Sequence, residues 1–172
     1  MRKFLLPLIF LGLFILESLF VQFLPAAFFN SKNVLVPHFL IASILFLTIY
    51  GGEKHGIVYG IIFGLLFDIV YTEIIGIYLF LFPLVAYIVS KIMKVLQTNI
   101  LIASLVSLIG VALIEIGVFE MDKLIHITNI TFMNFLDRRL FSTLILNAIY
   151  IVIAAYPLKR QFEKFADNLR AD

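Results

Sequence analysis

The sequence contains no cysteine and no tryptophan, and charged residues supply only 14% of its 172 positions. Without cysteine there is no disulfide framework, no thiol nucleophile and no thiolate metal site. The formal net charge of +2 is too small to point to nucleic acid. No phosphate-cradling loop, G-x-S-x-G elbow or H-E-x-x-H pair occurs. His38, His55 and His126 are scattered, and the first two sit at segment ends, where an interfacial position is expected rather than ligation. The reading is therefore of a chain with no metal and no cofactor. What fills the sequence is apolar: 63% of it, against roughly 45–50% in soluble domains. A soluble domain of this size has too little interior to hide that much apolar surface. Lipid is the alternative, and at about 20 apolar residues per crossing the chain has room for five to seven spans.

Six apolar segments can be read: 4–24, 34–50, 55–71, 74–90 (running on towards 96), 100–119 and 140–156. The expected fold is an all-α membrane bundle of about six transmembrane helices over 1–156, followed by a cytoplasmic amphipathic tail over 157–172. Met1-Arg2-Lys3 before the first run has the look of a signal peptide. However, no A-x-A site follows, since the candidate region reads Leu24-Pro25-Ala26-Ala27, and the run carries Glu17. It is expected to remain as the first span. Tight turns at Gly51-Gly52-Glu53-Lys54 and near Thr72-Glu73 make the second, third and fourth helices antiparallel neighbours.

With the N-terminus inside, Arg2, Lys3, Lys54, Lys91, Lys94, Lys159, Arg160, Lys164 and Arg170 fall on the inner side. Lys32, Lys123, Arg138 and Arg139 fall on the outer side. The positive-inside rule then places both termini in the cytoplasm. The mixed stretch 120–139 either extends the fifth helix or lies in the interface. In the tail, Leu158, Phe162, Phe165 and Leu169 form an apolar stripe with basic flanks, expected to rest on the inner leaflet or to dock a partner.

Charges inside spans cost roughly 2.5–3.5 kcal/mol each and face protein or water. Glu17, Asp68 and Glu115 each lie about 20–24 Å along their helices at 1.5 Å per residue, all in the outer half. Arg139, Thr143 and Asn147 recur at i, i+4 and i+8 from the same side. A buried polar cluster of Glu17, Asp68, Glu115, Arg139 and Asn147 follows, with Asp68 the expected partner of Arg139 or of another protein's polar group. Gly52, Gly56, Gly60 and Gly64 recur every four residues, with Asp68 next in the series. Such a stripe allows close backbone approach, by another helix of the bundle or by a partner helix. Pro83 interrupts the hydrogen bonding of the fourth helix.

Three stretches carry a resemblance. Val36-Pro37-His38-Phe39-Leu40, then Gly52-Glu53-Lys54-His55-Gly56 through Gly60 to Asp68, then Gly76-Ile77-Tyr78-Leu79-Phe80-Leu81-Phe82-Pro83-Leu84 resemble MreD, the multi-span rod shape-determining protein family of bacteria. The resemblance implies a non-enzymatic scaffold of the cell-elongation machinery in the bacterial plasma membrane. It also implies action with the single-span protein MreC, and with MreB, RodA and a class B penicillin-binding protein, in lateral peptidoglycan synthesis. The family's fold is similar to the substrate-binding subunits of energy-coupling vitamin transporters. The competing function is accordingly such a transporter subunit, which would need a polar ligand pocket near the outer surface. A third class, an intramembrane enzyme, would need a polar pair that the sequence does not display.

Overall fold

A computed structural model describes residues 5–23, 34–72, 74–96 and 99–171. Met1-Arg2-Lys3, Leu24-Pro25-Ala26-Ala27, Lys32 and Glu73 lie outside the described residues, so the expectations placed on them have no structural counterpart here. Every regular element among the described residues is helical: α1 (Leu5–Phe23), α2 (Phe39–Phe46), α3 (Glu53–Tyr71), α4 (Ile77–Val95), α5 (Ile100–Leu124), α6 (Phe132–Phe135) and α7 (Phe141–Ala171). Wider π turns at Leu47–Gly51 and Leu136–Leu140 extend α2 and join α6 to α7.

Five stretches are long and apolar enough to cross a membrane: Leu6–Phe23, Glu53–Tyr71, Ile77–Val95, Ile100–Leu124 and Phe132–Leu169. Their outer faces expose Leu8, Ile15, Ile62, Ile69, Leu105, Ile149 and Val152, among others. A continuous belt of this kind has no place in water and matches lipid. This is an all-α membrane bundle.

The second segment differs from the expected span. Residues 34–38 are extended, and the helix begins only at Phe39. From Phe39 to Phe46 every residue is buried, including Ser43. The short helix Phe39–Gly51 is thus the axis of the bundle, touching α1, α3, α4, α5 and α7, rather than a lipid-facing crossing. Its apolar character all round, with no polar stripe, is what a wholly enclosed helix requires. The stretch 120–139 also resolves: α5 continues to Leu124, and the last long helix starts at Phe132, earlier than the expected 140.

The stripe on α3 explains its closest packing. A Cβ on Gly64 would come within 2.5 Å of the Tyr78 carbonyl oxygen and 3.0 Å of Leu79 Cα, and one on Gly60 would lie 3.1 Å from the Pro83 nitrogen. At Pro83 the missing N–H removes a donor that this apolar contact could not serve. A Cβ on Gly56 would meet Thr48 Cα at 2.8 Å, in the π turn after α2. Gly52 instead supplies the positive φ of +108° that turns the chain into α3.

α7 runs unbroken from Phe141 through Pro157 to Ala171. The stripe on its final turns packs in part against the bundle, with Leu169 left exposed. Phe162 is fully buried and stacks on Phe10 at 6.0 Å, and Phe165 meets the His55 ring edge-on at 5.1 Å. These contacts bring the start of α1, the start of α3 and the end of α7 to one end of the bundle. The α3–α4 turn and the α5–α6 link occupy the other.

Candidate functional site

An extended segment inside an apolar bundle has backbone groups that no helix satisfies, and in lipid water cannot serve them. Residues 34–38 solve this with two side chains of α7 and one backbone carbonyl of the π turn before it. Val34 N–H donates to the Arg138 carbonyl at 2.8 Å. Val36 N–H donates to Thr143 Oγ1 at 3.2 Å, and the Val36 carbonyl accepts from Asn147 Nδ2 at 3.0 Å. His38 N–H donates to Asn147 Oδ1 at 2.8 Å. Pro37 has no N–H to place. Beyond the segment, Leu40 N–H in the first turn of α2 donates to Glu17 Oε1 on α1 at 2.9 Å. A carboxyl at a helix N-terminus also meets the positive end of the helix dipole.

Arg139, Thr143 and Asn147 therefore share a face because that face receives residues 34–38 and Glu115. Glu115 is wholly buried. Its Oε2 accepts from Arg139 Nε at 2.7 Å, and its Oε1 lies 2.5 Å from His38 Nε2 and 3.4 Å from Arg139 Nη2. The guanidinium balances the carboxylate charge, and the imidazole takes up its remaining lone pair as a donor through Nε2.

Two expectations are corrected. Asp68 does not pair with Arg139. It is fully buried, and its carboxylate accepts three backbone N–H groups at the start of α4: Gly76 and Leu79 on Oδ2 at 2.8 and 2.9 Å, and Tyr78 on Oδ1 at 2.9 Å. With both oxygens committed, Asp68 caps α4 and closes the α3–α4 hairpin. His38, expected at an interface, is 1% exposed and central to the cluster. The signal that could have found it is local: a histidine after Pro37 at the start of a helix with no polar face has only the bundle interior to enter. Gly56, Gly60 and Gly64 are covered by this chain's own α4 and π turn, so the stripe is filled from within the molecule.

Chemically, the cluster binds backbone and balances charge. Glu17 Oε2, His38 Nδ1, Tyr50 Oη and Ser107 Oγ are buried without a hydrogen-bond partner among the described residues. No group of three or more His, Cys, Asp or Glu side chains among the described residues could hold a metal ion.

The family model described as rod shape-determining protein MreD matches residues 2–165. The chain belongs to the MreD family. The rod shape-determining protein MreD of Bacillus subtilis (strain 168) is 35% identical over 170 residues, covering 99% of both chains. The MreD match spans every residue of the polar cluster, from Glu17 to Asn147. No solved structure matches the chain, and the likeness to transporter subunits rests on the family resemblance alone.

Two cavities open beside the cluster of this MreD-family chain. One, of about 480 Å3, is lined by Phe119, Asp122, Asn134, Phe135, Arg138 and Arg139 with their neighbours. The other, of about 390 Å3, lies between the α3–α4 turn and α5 and shares Asp122 and Arg139.

Proposed function

We infer that this chain is a rod shape-determining membrane protein, acting as a non-enzymatic scaffold of the bacterial cell-elongation machinery. The observation that carries this reading is the family match over residues 2–165, together with the 35% identity to the Bacillus subtilis relative over 99% of both chains. The use of the buried polar groups supports it. Asp68 is spent on backbone amides and Glu115 on Arg139 and His38, and among the described residues no nucleophile stands beside a base and an orienting group.

The scaffold's work is to hold partners of the elongation machinery in the plane of the membrane: MreC through its single helix, and with it MreB, RodA and a class B penicillin-binding protein. Because α4 fills the glycine stripe of α3, a partner helix docks elsewhere on the bundle. The protein is multi-pass, and both termini are cytoplasmic, as the Lys/Arg asymmetry supports.

The test is complementation in a rod-shaped bacterium lacking its own MreD, with MreC co-purified from the same cells. Restored rods and retained MreC support the scaffold. Rods restored without any MreC association, or product formed from lipid-linked cell-wall precursor by the purified chain alone, would overturn it.

A further inference from the structure

The larger cavity carries an unusual balance of charge. At about 480 Å3 it falls within the ~300–1,000 Å3 of small-molecule sites. Phe119 and Phe135, stacked at 4.2 Å, give it an apolar wall, and Asn134 contributes an amide. The Arg139 guanidinium is committed to Glu115. Asp122 and Arg138, which also line it, form no ion pair among the described residues. A bare anion placed here would meet the Asp122 carboxylate, and a bare cation would meet Arg138. A ligand bearing both a phosphate and an ammonium matches both.

The surroundings fix the level at which the cavity sits. The segment linking α5 to α6 is polar in its backbone turns yet exposes Leu124, Ile127, Ile130, Phe132 and Met133. An apolar surface of this kind at the ends of membrane-spanning helices belongs in the interfacial layer, where lipid headgroups lie. The cavity therefore opens at the depth of phospholipid phosphates, with acyl chains available to its apolar wall.

We propose that this cavity is a binding site for a phosphoethanolamine lipid headgroup. Arg138 receives the phosphate, with its planar fork of N–H donors matched to the oxygens. Asp122 accepts from the ammonium, and Asn134 hydrogen-bonds the glycerophosphate. A glycerol headgroup offers Asp122 no cation, and a choline headgroup offers it no N–H donor, so both are disfavoured.

The test uses the purified full-length chain in detergent, offered equal amounts of dioleoyl phosphatidylethanolamine, phosphatidylcholine and phosphatidylglycerol, with retained lipid read by native mass spectrometry. Phosphatidylethanolamine is expected in excess by about tenfold, the equivalent of one charge-assisted contact. Arg138→Gln should lower retention of all three lipids, and Asp122→Asn should abolish the preference for ethanolamine over choline while leaving phosphate-dependent retention. Both side chains sit at the surface end of the bundle, and unchanged elution of the variants on size exclusion confirms folding. Equal retention of the three lipids, or an unaltered pattern in both variants, overturns the proposal. Displacement of bound lipid by equimolar soluble glycerophosphoethanolamine overturns the lipid assignment in favour of a free small molecule.

Discussion

The backbone N–H of His38 donates to Asn147 Oδ1 at 2.8 Å across 109 residues of sequence, and the same amide group donates back to the carbonyl of Val36 at 3.0 Å. One side chain on α7 thus serves as the missing hydrogen-bond ladder for the extended lead-in to α2. Removing it leaves a donor and an acceptor stranded in an apolar medium. Asn147→Leu should destabilise by roughly 1–3 kcal/mol, more than the area lost would imply. The measurement is thermal unfolding of the purified protein in detergent, with Asn147→Gln expected to fall between.

Arg139 and Glu115 form the charged pair of the bundle interior. Arg139→Ala strands a buried carboxylate, a change that costs about 3–5 kcal/mol at fully buried sites and less here, because the arginine is 30% exposed. Coupling measured by double-mutant cycles separates this pairing from the one the sequence suggested. Arg139→Ala with Glu115→Gln should be strongly non-additive, whereas Arg139→Ala with Asp68→Asn should add within about 0.5 kcal/mol. Strong coupling between Asp68 and Arg139 would contradict the hydrogen bonding described for α4.

Asp68 itself should show a graded response. Asp68→Ala leaves the Gly76, Tyr78 and Leu79 N–H groups without an acceptor, and Asp68→Asn keeps one oxygen. Loss of a helix cap costs about 0.5–2 kcal/mol, and burial pushes the value upward. Membrane abundance should fall further for the alanine variant than for the asparagine variant.

The glycines of this chain should separate by environment. Gly64→Ala forces the α4 backbone at Tyr78 and Leu79 to move, and Gly76→Ala strains a residue at φ +129°. Gly12 has nothing within 4 Å of a Cβ, so Gly12→Ala serves as the control without steric cost and should leave α1 unchanged or more stable by up to about 1 kcal/mol. Equal tolerance at Gly12 and Gly64 would refute the close α3–α4 contact.

Much of this architecture was legible in the sequence because lipid imposes one dominant signal, the length of apolar runs. α1, α3, α4 and α5 fall where those runs fall, and the four-residue glycine recurrence marks the face of α3 that meets a backbone. Hydropathy could not distinguish a lipid-facing crossing from a helix enclosed on all sides, because both are uniformly apolar. For that reason the second segment was read as a lipid-facing span, and α2 emerged as an enclosed one at the axis. Partner choice among buried polar groups was also hidden. Asp68 and Glu115 stand at similar depth, and only the α3–α4 turn, which aims three amides at Asp68, decides which of them is left for Arg139. His38 was placed at an interface because a helix end in sequence is normally a membrane boundary, whereas α2 begins in mid-bundle.

The central claim is that Glu17, Thr143 and Asn147 hold the backbone of residues 34–40 in place inside the bundle, with Glu115 receiving the His38 ring. Hydrogen exchange, read by mass spectrometry on the reconstituted protein, tests it most directly. The amides of Val36, His38 and Leu40 should be protected to a degree near that of α3 and α4, and Asn147→Leu should release the His38 amide, whose acceptor it removes, while leaving the α3–α4 hairpin unchanged. Exchange of 34–40 at the rate of an open loop in the wild-type protein, or unaltered protection in Asn147→Leu, would contradict the account.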